Sequence, residues 1–368
     1  MIDKKLFANF DWVLFILIIA LFFISLAEIY SATHKEGIIY GSDFVVKQGI
    51  WFLGGIIIFF ILGVIDYHFY ERWCLFFYWA VNLSLVYVIF EGRLAGGSQR
   101  WISLGFMNLQ PSELAKIALV LVLARHFSKN LFIKGVGLRQ LIMPIFYTMV
   151  PFILILKQPD LGTAGTLVLI AGLIILFVKV GKKTLWSLIG AGSILTIVFI
   201  MFFLKEYQRK RIISFLNPGQ DPLGAGYHII QSKIAIGSGM FYGKGYCEGT
   251  QNALSFLPEQ HTDFIFSVFA EEWGFLGSIL FLCLYFCILV WGLKIAGSCR
   301  SRFGIITGVG LVSIVFWQLF INLGMVMGIF PVVGMPLPLV SYGGTSVITI
   351  MSGMGILMSI SMRRFMAR

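Results

Sequence analysis

The sequence predicts an all-α, polytopic integral membrane protein of about ten transmembrane helices, with a long extracytoplasmic loop between helices 7 and 8. Three observations predict it. Of the 368 residues 58% are hydrophobic and only 12% are charged, where a soluble domain carries about 25% charged. Too little polar surface remains to wet a soluble fold of this size. The apolar residues form unbroken runs, as in FILIIALFFISLA from Phe15, and not the alternating pattern of a membrane β-barrel. The length accommodates about ten spans of about 20 residues with their loops. The net charge of +11 does not point to nucleic acid, because the basic residues sit in short loops between apolar runs.

The expected helices cover 11–30, 48–65, 73–90, 112–128, 141–156, 163–179, 184–204, 263–293, 304–328 and 345–362, within a single domain over 1–368. Lys4 and Lys5 precede the first run, which lacks a small-residue cleavage site and is read as a retained span. The eighth is longer than a bilayer requires and is expected to tilt or protrude. Lys and Arg are about three times as frequent in the loops on the side of the two termini, which places both termini in the cytoplasm. The acidic residues are skewed to the opposite side, so any chemistry is expected outside the cytoplasmic membrane. Cys283 and Cys287, four apart on an apolar helix, read as packing residues. No two of the five histidines have metal-ligand spacing on one helix.

Four outer segments carry more than a loop needs. In residues 96–116, Gly96 and Gly97 relax the backbone, Arg100 and Trp101 suit an interface, and Pro111 starts a helix. Glu113 and Lys116 then lie three apart inside the span, either as an internal ion pair or as a polar site for an anionic group. In residues 156–165, Lys157 and Asp160 flank Pro159, and Asp160 either caps the next helix or serves the site. Residues 205–262 hold the basic cluster Arg209, Lys210 and Arg211 and a stretch, 226–239, that reads as an interfacial helix. The cluster is a solvated face or an anionic-lipid contact. Asp263 ends this loop at a polar–apolar boundary, with His261 placed to tune it. In residues 329–346, Pro331, Pro336 and Pro338 forbid a continuous helix although the segment is apolar, which suits a re-entrant element lining a cavity. Ser341 and Tyr342 supply hydroxyls there. Glu271 and Glu272, inside the eighth span, either pack between helices or face a cavity.

Through GSQRWI, QPSELAK, KQPDLGTA, LPEQHTDFIFSVFAEEWGFLG and LPLVSYGGTS, in this order, the chain resembles the SEDS family (shape, elongation, division and sporulation proteins) over nearly its whole length. Val332 and Val333 stand where the division branch usually has a Thr-Lys pair, so the likeness is to the RodA-like elongation branch. The resemblance implies a peptidoglycan glycosyltransferase that polymerises lipid II on the outer face of the bacterial cytoplasmic membrane, partnered by a class B penicillin-binding protein transpeptidase. It implies Asp263 as the essential carboxylate and Arg100, Glu113, Lys116 and Asp160 as functional positions.

The residues suit that chemistry. Pyrophosphate is a good leaving group, so the reaction needs a base for the 4-hydroxyl of the incoming sugar and cations for the departing phosphate. One Asp with Arg and Lys fits this better than the carboxylate pair of a glycosidase. A divalent cation, Mg or Mn, could bridge pyrophosphate and carboxylate, although no ligand cluster marks it. The rival classes are a lipid II flippase, served equally by intramembrane Glu and Lys, and a scaffold, which needs no buried ionisable groups. The charge asymmetry predicts that cysteine-labelling reagents applied outside intact cells reach residues 205–262. Labelling only after lysis would reverse the orientation.

Overall fold

The computed structural model describes residues 9–33, 41–95, 98–103, 105, 108–129, 135–202, 206–217, 225–250 and 260–364. Lys4, Lys5, Gly96, Gly97 and the loop stretches 218–224 and 251–259 lie outside the described residues. The chain runs α1 (Trp12–Thr33), α2 (Gly41–Val64), α3 (Tyr67–Glu91), then strands β1 (Arg93–Ala95), β2 (Ser98–Ser103) and β3 (Asn108–Leu109). It continues with α4 (Pro111–Lys129), α5 (Leu138–Lys157), α6 (Leu161–Phe177), α7 (Lys182–Phe202), α8 (Glu206–Leu216) and α9 (Ala225–Ser238). The last three helices are α10 (Ile265–Ser298), α11 (Arg302–Val326) and α12 (Gly344–Arg363).

Each of the ten expected spans overlaps one of these helices. Among the described residues, 7 helices are long and apolar enough to cross a membrane, and α6 is a shorter apolar helix. Some starts lie earlier than hydropathy alone suggests. The Asp66 carboxylate accepts the His68 N–H at 2.9 Å and caps α3, so its polar first turns belong to the helix. The strands, in antiparallel order β1-β2-β3, replace what the sequence suggested was only an interfacial segment. The expected 226–239 helix is present as α9, but it packs on α10 and α11. Its Ser232 hydroxyl pairs with Ser267 at 2.8 Å and donates to the Val326 carbonyl at 2.6 Å.

The core is formed by α4 and the last two helices. The most apolar stretch of α12 is 89% buried and that of α11 is 72%, against 33% for α1 and α3. Nearly every residue of Pro111–Ala124 in α4 is also buried. Around these three central helices, α2 packs on α12, α3 on α4, α6 on α4 and α11, and α1 on α2 and α10. The outer helices turn side chains such as Phe76, Leu83 and Phe90 outward, where lipid takes the place of a protein neighbour.

The long helix α10 is broken, and its contacts locate the two parts. The Trp291 indole donates to Asp11 Oδ1 at 2.8 Å, at the foot of α1. Glu272 accepts from Ser31, near the other end of α1. The stretch 272–291 therefore runs the length of α1, about 30 Å at 1.5 Å per residue, which matches the hydrocarbon thickness. The earlier turns, which follow Asp263, double back beside this stretch, with the Phe266 and Phe269 rings 6.0 and 4.6 Å from that of Phe281. Between the two parts Gly274 has φ 64 and ψ −160. The 239–249 turn supplies the missing main-chain partners: Lys244 N–H donates to Glu271 O at 3.0 Å, and Phe275 N–H to Met240 O at 2.9 Å. A Cβ on Gly274 would sit 2.2 Å from Gly243 N. Gly274→Ala is therefore expected to destabilise the protein by at least about 2 kcal/mol. Gly297→Ala, at an open position of the same helix, should be neutral or slightly stabilising. Thermal unfolding in detergent checks the contrast, and equal melting temperatures would contradict it.

Candidate active site

Residues 329–343 cannot form a helix, so their main-chain polar groups need other partners in an apolar setting. The structure supplies them from four directions. Leu337 N–H donates to Ser341 Oγ at 2.8 Å, and the Ser341 hydroxyl in turn donates to the Thr262 carbonyl. Tyr342 N–H donates to His261 O at 2.9 Å. The Asn322 amide donates to Asp263 O at 2.9 Å and to Met335 O at 2.7 Å. From α2, Gln48 Nε2 donates to Ser341 O at 3.2 Å, and Gln48 Oε1 accepts from Gly343 N–H at 3.3 Å. The proline-rich segment is thus stitched to the 261–263 turn that precedes α10.

A cleft of about 240 Å³ opens beside this seam. Thr262, Asp263, Gly334, Pro336 and Tyr342 line one part of it, and Arg100, Trp101, Gln110, Glu113, Asp160 and Thr163 another. Thr345 and Ser346, in the first turn of α12, complete the lining. Gly334 has φ +72, and a Cβ there would sit 3.3 Å from Asp263 Oδ2. The carboxylate therefore lies against bare backbone, a position open only to glycine. Burial pushes the Tyr342 phenol above its ordinary pKa, so it serves as a neutral hydrogen-bonding group in the cleft. The His261 ring packs between Phe44, at 5.0 Å, and Tyr342, at 5.8 Å.

On the other wall every charge is held by a specific partner. Arg100, on β2, donates from Nε to Gln158 O at 3.1 Å and from Nη2 to Pro159 O, and its Nη1 lies 3.9 Å from Asp160 Oδ2. Asp160 caps α6, accepting from Thr163 N–H at 3.2 Å and from the Thr163 hydroxyl at 2.9 Å. Glu113 accepts from Lys116 at 2.7 Å and from Gln318 Nε2 at 3.4 Å. Lys116 has no exposed surface.

The structure thus brings Arg100, Glu113, Asp160, Asp263 and Tyr342 from distant segments to one cleft. Lys116 and Ser341 do not line it. Lys116 lies behind Glu113, and the Ser341 hydroxyl is spent on main-chain groups. Sequence reasoning passed over Asn322, Gln48 and Gln318, each without exposed surface. The signal for them was available, since an amide inside an apolar run needs a partner as a carboxylate does. The glutamates of α10 belong to packing and do not line the cleft. Glu271 accepts from Lys244 at 2.6 Å and from Thr250 N–H at 3.0 Å. Trp273 donates to Glu28 at 2.9 Å. They pin the 239–250 turn and α1 around the break.

The buried pair on α4 yields a direct test. Lys116→Met leaves Glu113 without its cation and is expected to cost about 3–5 kcal/mol of stability. Adding Glu113→Gln should recover most of that loss. Unfolding in detergent compares the two variants. A single variant as stable as the wild type, yet impaired in lipid binding, would instead make Lys116 a direct anion contact.

Comparison with known proteins agrees with this architecture. Residues 9–365 match the FtsW/RodA/SpoVE family, described as cell cycle protein. The peptidoglycan glycosyltransferase MrdB of Escherichia coli K12 is 45% identical over 319 residues, covering 85% of this chain and 84% of the relative. The peptidoglycan glycosyltransferase RodA of Treponema pallidum is 33% identical, covering 97% of this chain and 98% of the relative. A chain from a peptidoglycan synthase complex, solved to explain the coordination of polymerization and crosslinking, superposes with a TM-score of 0.83. It is 30% identical and covers 97% of this chain and 99% of that one. Thermus thermophilus RodA shares the fold, with a TM-score of 0.72 at 24% identity over 97% of this chain and 98% of that one. With the family matched from residue 9 to residue 365 and relatives this similar over nearly the whole length, the chain belongs to the FtsW/RodA/SpoVE family.

Proposed function

We propose that this chain, a peptidoglycan glycosyltransferase, polymerises lipid II in the cleft beside Asp263, with Asp263 as the general base. The observation that carries the reading is the meeting of one carboxylate set against bare glycine backbone with a second wall of paired charges. The 4-hydroxyl oxygen of the incoming sugar attacks the anomeric carbon of the lipid-linked sugar. The bond from that carbon to the pyrophosphate oxygen breaks, and polyprenyl diphosphate leaves. Asp263 takes the hydroxyl proton. A single base and a good leaving group imply direct displacement with inversion.

Arg100 is placed to face the departing phosphate. Its carbonyl and Asp160 contacts fix the guanidinium plane, so the charge is pre-oriented before the leaving group develops its own. Glu113 and Asp160 are engaged by Lys116 and by Thr163, and Tyr342 supplies a neutral phenol toward the sugar. Among the described residues no group of three or more metal-ligating side chains is present. Asp263, together with the substrate's own pyrophosphate, would hold a divalent cation of the Mg or Mn type. It would supply charge neutralisation to the leaving group.

The partner we propose is a class B penicillin-binding protein transpeptidase, supported by the synthase complex from which the 30% identical chain comes. The proposed location is the cytoplasmic membrane, with both termini inside and the cleft at the outer face, supported by the charge asymmetry of the loops. Asp263→Asn keeps the side chain's shape and removes its capacity to accept the proton. It should insert, bind its partner and bind lipid II, yet polymerise about 10²–10⁴-fold more slowly. Glycan synthesis by matched amounts of variant and wild type measures this. A rate within a few-fold of wild type would remove Asp263 as the base and make Glu113 or Asp160 the next candidate.

A further inference from the structure

We infer that Asn322 is a positioning residue for this reaction: its side-chain amide sets where the Asp263 carboxylate stands by tying together the two backbone segments that form the seam. The inference rests on Asp263 being the base. Asn322 lies near the end of α11, one of the central helices, and has no exposed surface. An amide nitrogen carries two hydrogens, and both are used here. One goes to the carbonyl of Asp263 itself at 2.9 Å, the other to the carbonyl of Met335 at 2.7 Å. Neither acceptor is inside a helix. Asp263 precedes α10, and Met335 lies in the proline-rich segment directly after Gly334, against which the Asp263 carboxylate rests. A single rigid group therefore spans the carboxylate-bearing residue and the surface on which it lies.

The orientation of the amide is dictated by its neighbours. Flipped, its oxygen would oppose two carbonyl oxygens. In the observed orientation its own Oδ1 is buried with no hydrogen-bond partner, an unfavourable state that persists because both donors are needed. A residue serving only to fill space at this point would be apolar, and one serving only a single carbonyl could be a serine or threonine. The requirement is for two diverging donors on one atom of a short, stiff side chain anchored in a central helix. Asparagine alone among the standard residues meets it at this length without adding charge.

The expected consequence is kinetic. A misplacement of about 1 Å can cost about 100-fold in rate, whereas lipid II binding draws on the whole cleft. Full-length protein, purified with its transpeptidase partner, is assayed for polymerisation of lipid II. Asn322→Leu, similar in volume and without donors, should lower kcat by about ten- to a hundredfold, with KM for lipid II changed by less than about two-fold. The discriminating readout is the double variant. If Asn322 acts through Asp263, then Asp263→Asn with Asn322→Leu polymerises at the same residual rate as Asp263→Asn alone. A multiplicative further loss in the double variant, or a loss confined to KM, overturns the inference and leaves Asn322 a structural residue. If Asn322→Leu does not yield a monodisperse protein, Asn322→Ser, which keeps one donor, enters the same comparison and should fall between wild type and Asp263→Asn. Asp263→Asn inactive with the Asn322 variant at wild-type kcat overturns this inference alone. Asp263→Asn as active as wild type overturns the assignment of the base, and this inference with it.

Discussion

Everything at the site depends on satisfying the main chain of a segment that cannot be helical. Residues 329–343 carry three prolines and are mostly apolar, so neither helix bonds nor water can take up all their carbonyls and N–H groups. Unsatisfied, each would be costly in an apolar medium. The solution is a seam in which Ser25 of α1, Gln48 of α2, Asn322 of α11 and the segment's own Ser341 hydroxyl each take a main-chain partner, while the 261–263 turn contributes carbonyls. The cleft is the space beside the seam. Its position follows from where the backbone breaks, and Asp263 belongs to it because its own carbonyl is one of the groups that had to be paired.

The same principle explains why charge inside the bundle does not disrupt it. Two carboxylates inside the bundle each have a close cationic partner. Lys116 and Glu113 form a pair one turn apart on α4, and Lys244 bonds Glu271 across the break in α10. Such pairs are weak sources of stability but strong sources of specificity, because breaking either one leaves a charge stranded. The pair on α4 places Glu113 at the cleft with its charge already balanced. The pair at α10 holds the 239–250 turn where Gly274 needs substitute hydrogen bonds. Electrostatics thus fixes the backbone on both sides of Asp263, and the orientation of this carboxylate is inherited from its frame.

Much of this was legible in the sequence, and the illegible part has a physical pattern. Hydropathy located a helix at each of the ten expected positions, seven of them long and apolar enough to cross a membrane, because apolar length is a property of the chain alone. It placed the starts of α2 and α3 late, because a capped polar turn such as the one at Asp66 belongs to a helix without being apolar. The prolines announced that 329–343 is not helical, and the charged residues Arg100, Glu113, Asp160 and Asp263 were conspicuous against an apolar background. Gln48, Gln318 and Asn322 were not, since a neutral amide costs less in a span than a charge and attracts less notice. Nor could the sequence show that Lys116 faces Glu113 rather than the cleft, or that Ser341 turns toward main chain. Both depend on which direction a side chain takes from a known position, and that is decided by packing.

The break at Gly274 joins these observations to the work of the protein. In a straight α10, Phe266 and Phe281 would stand about 22 Å apart, fifteen residues at 1.5 Å each, yet their ring centroids are 6.0 Å apart. Because the helix doubles back at Gly274, Asp263 is carried to Asn322 and to Gly334, where the cleft forms. A substrate with a polyprenyl chain and a sugar needs both media at once, with the chain in lipid and the reacting carbon in a polar cleft. A glycine with φ 64 in the middle of a long apolar helix is thus the feature of α10 that lets a membrane-embedded bundle enclose a polar cleft.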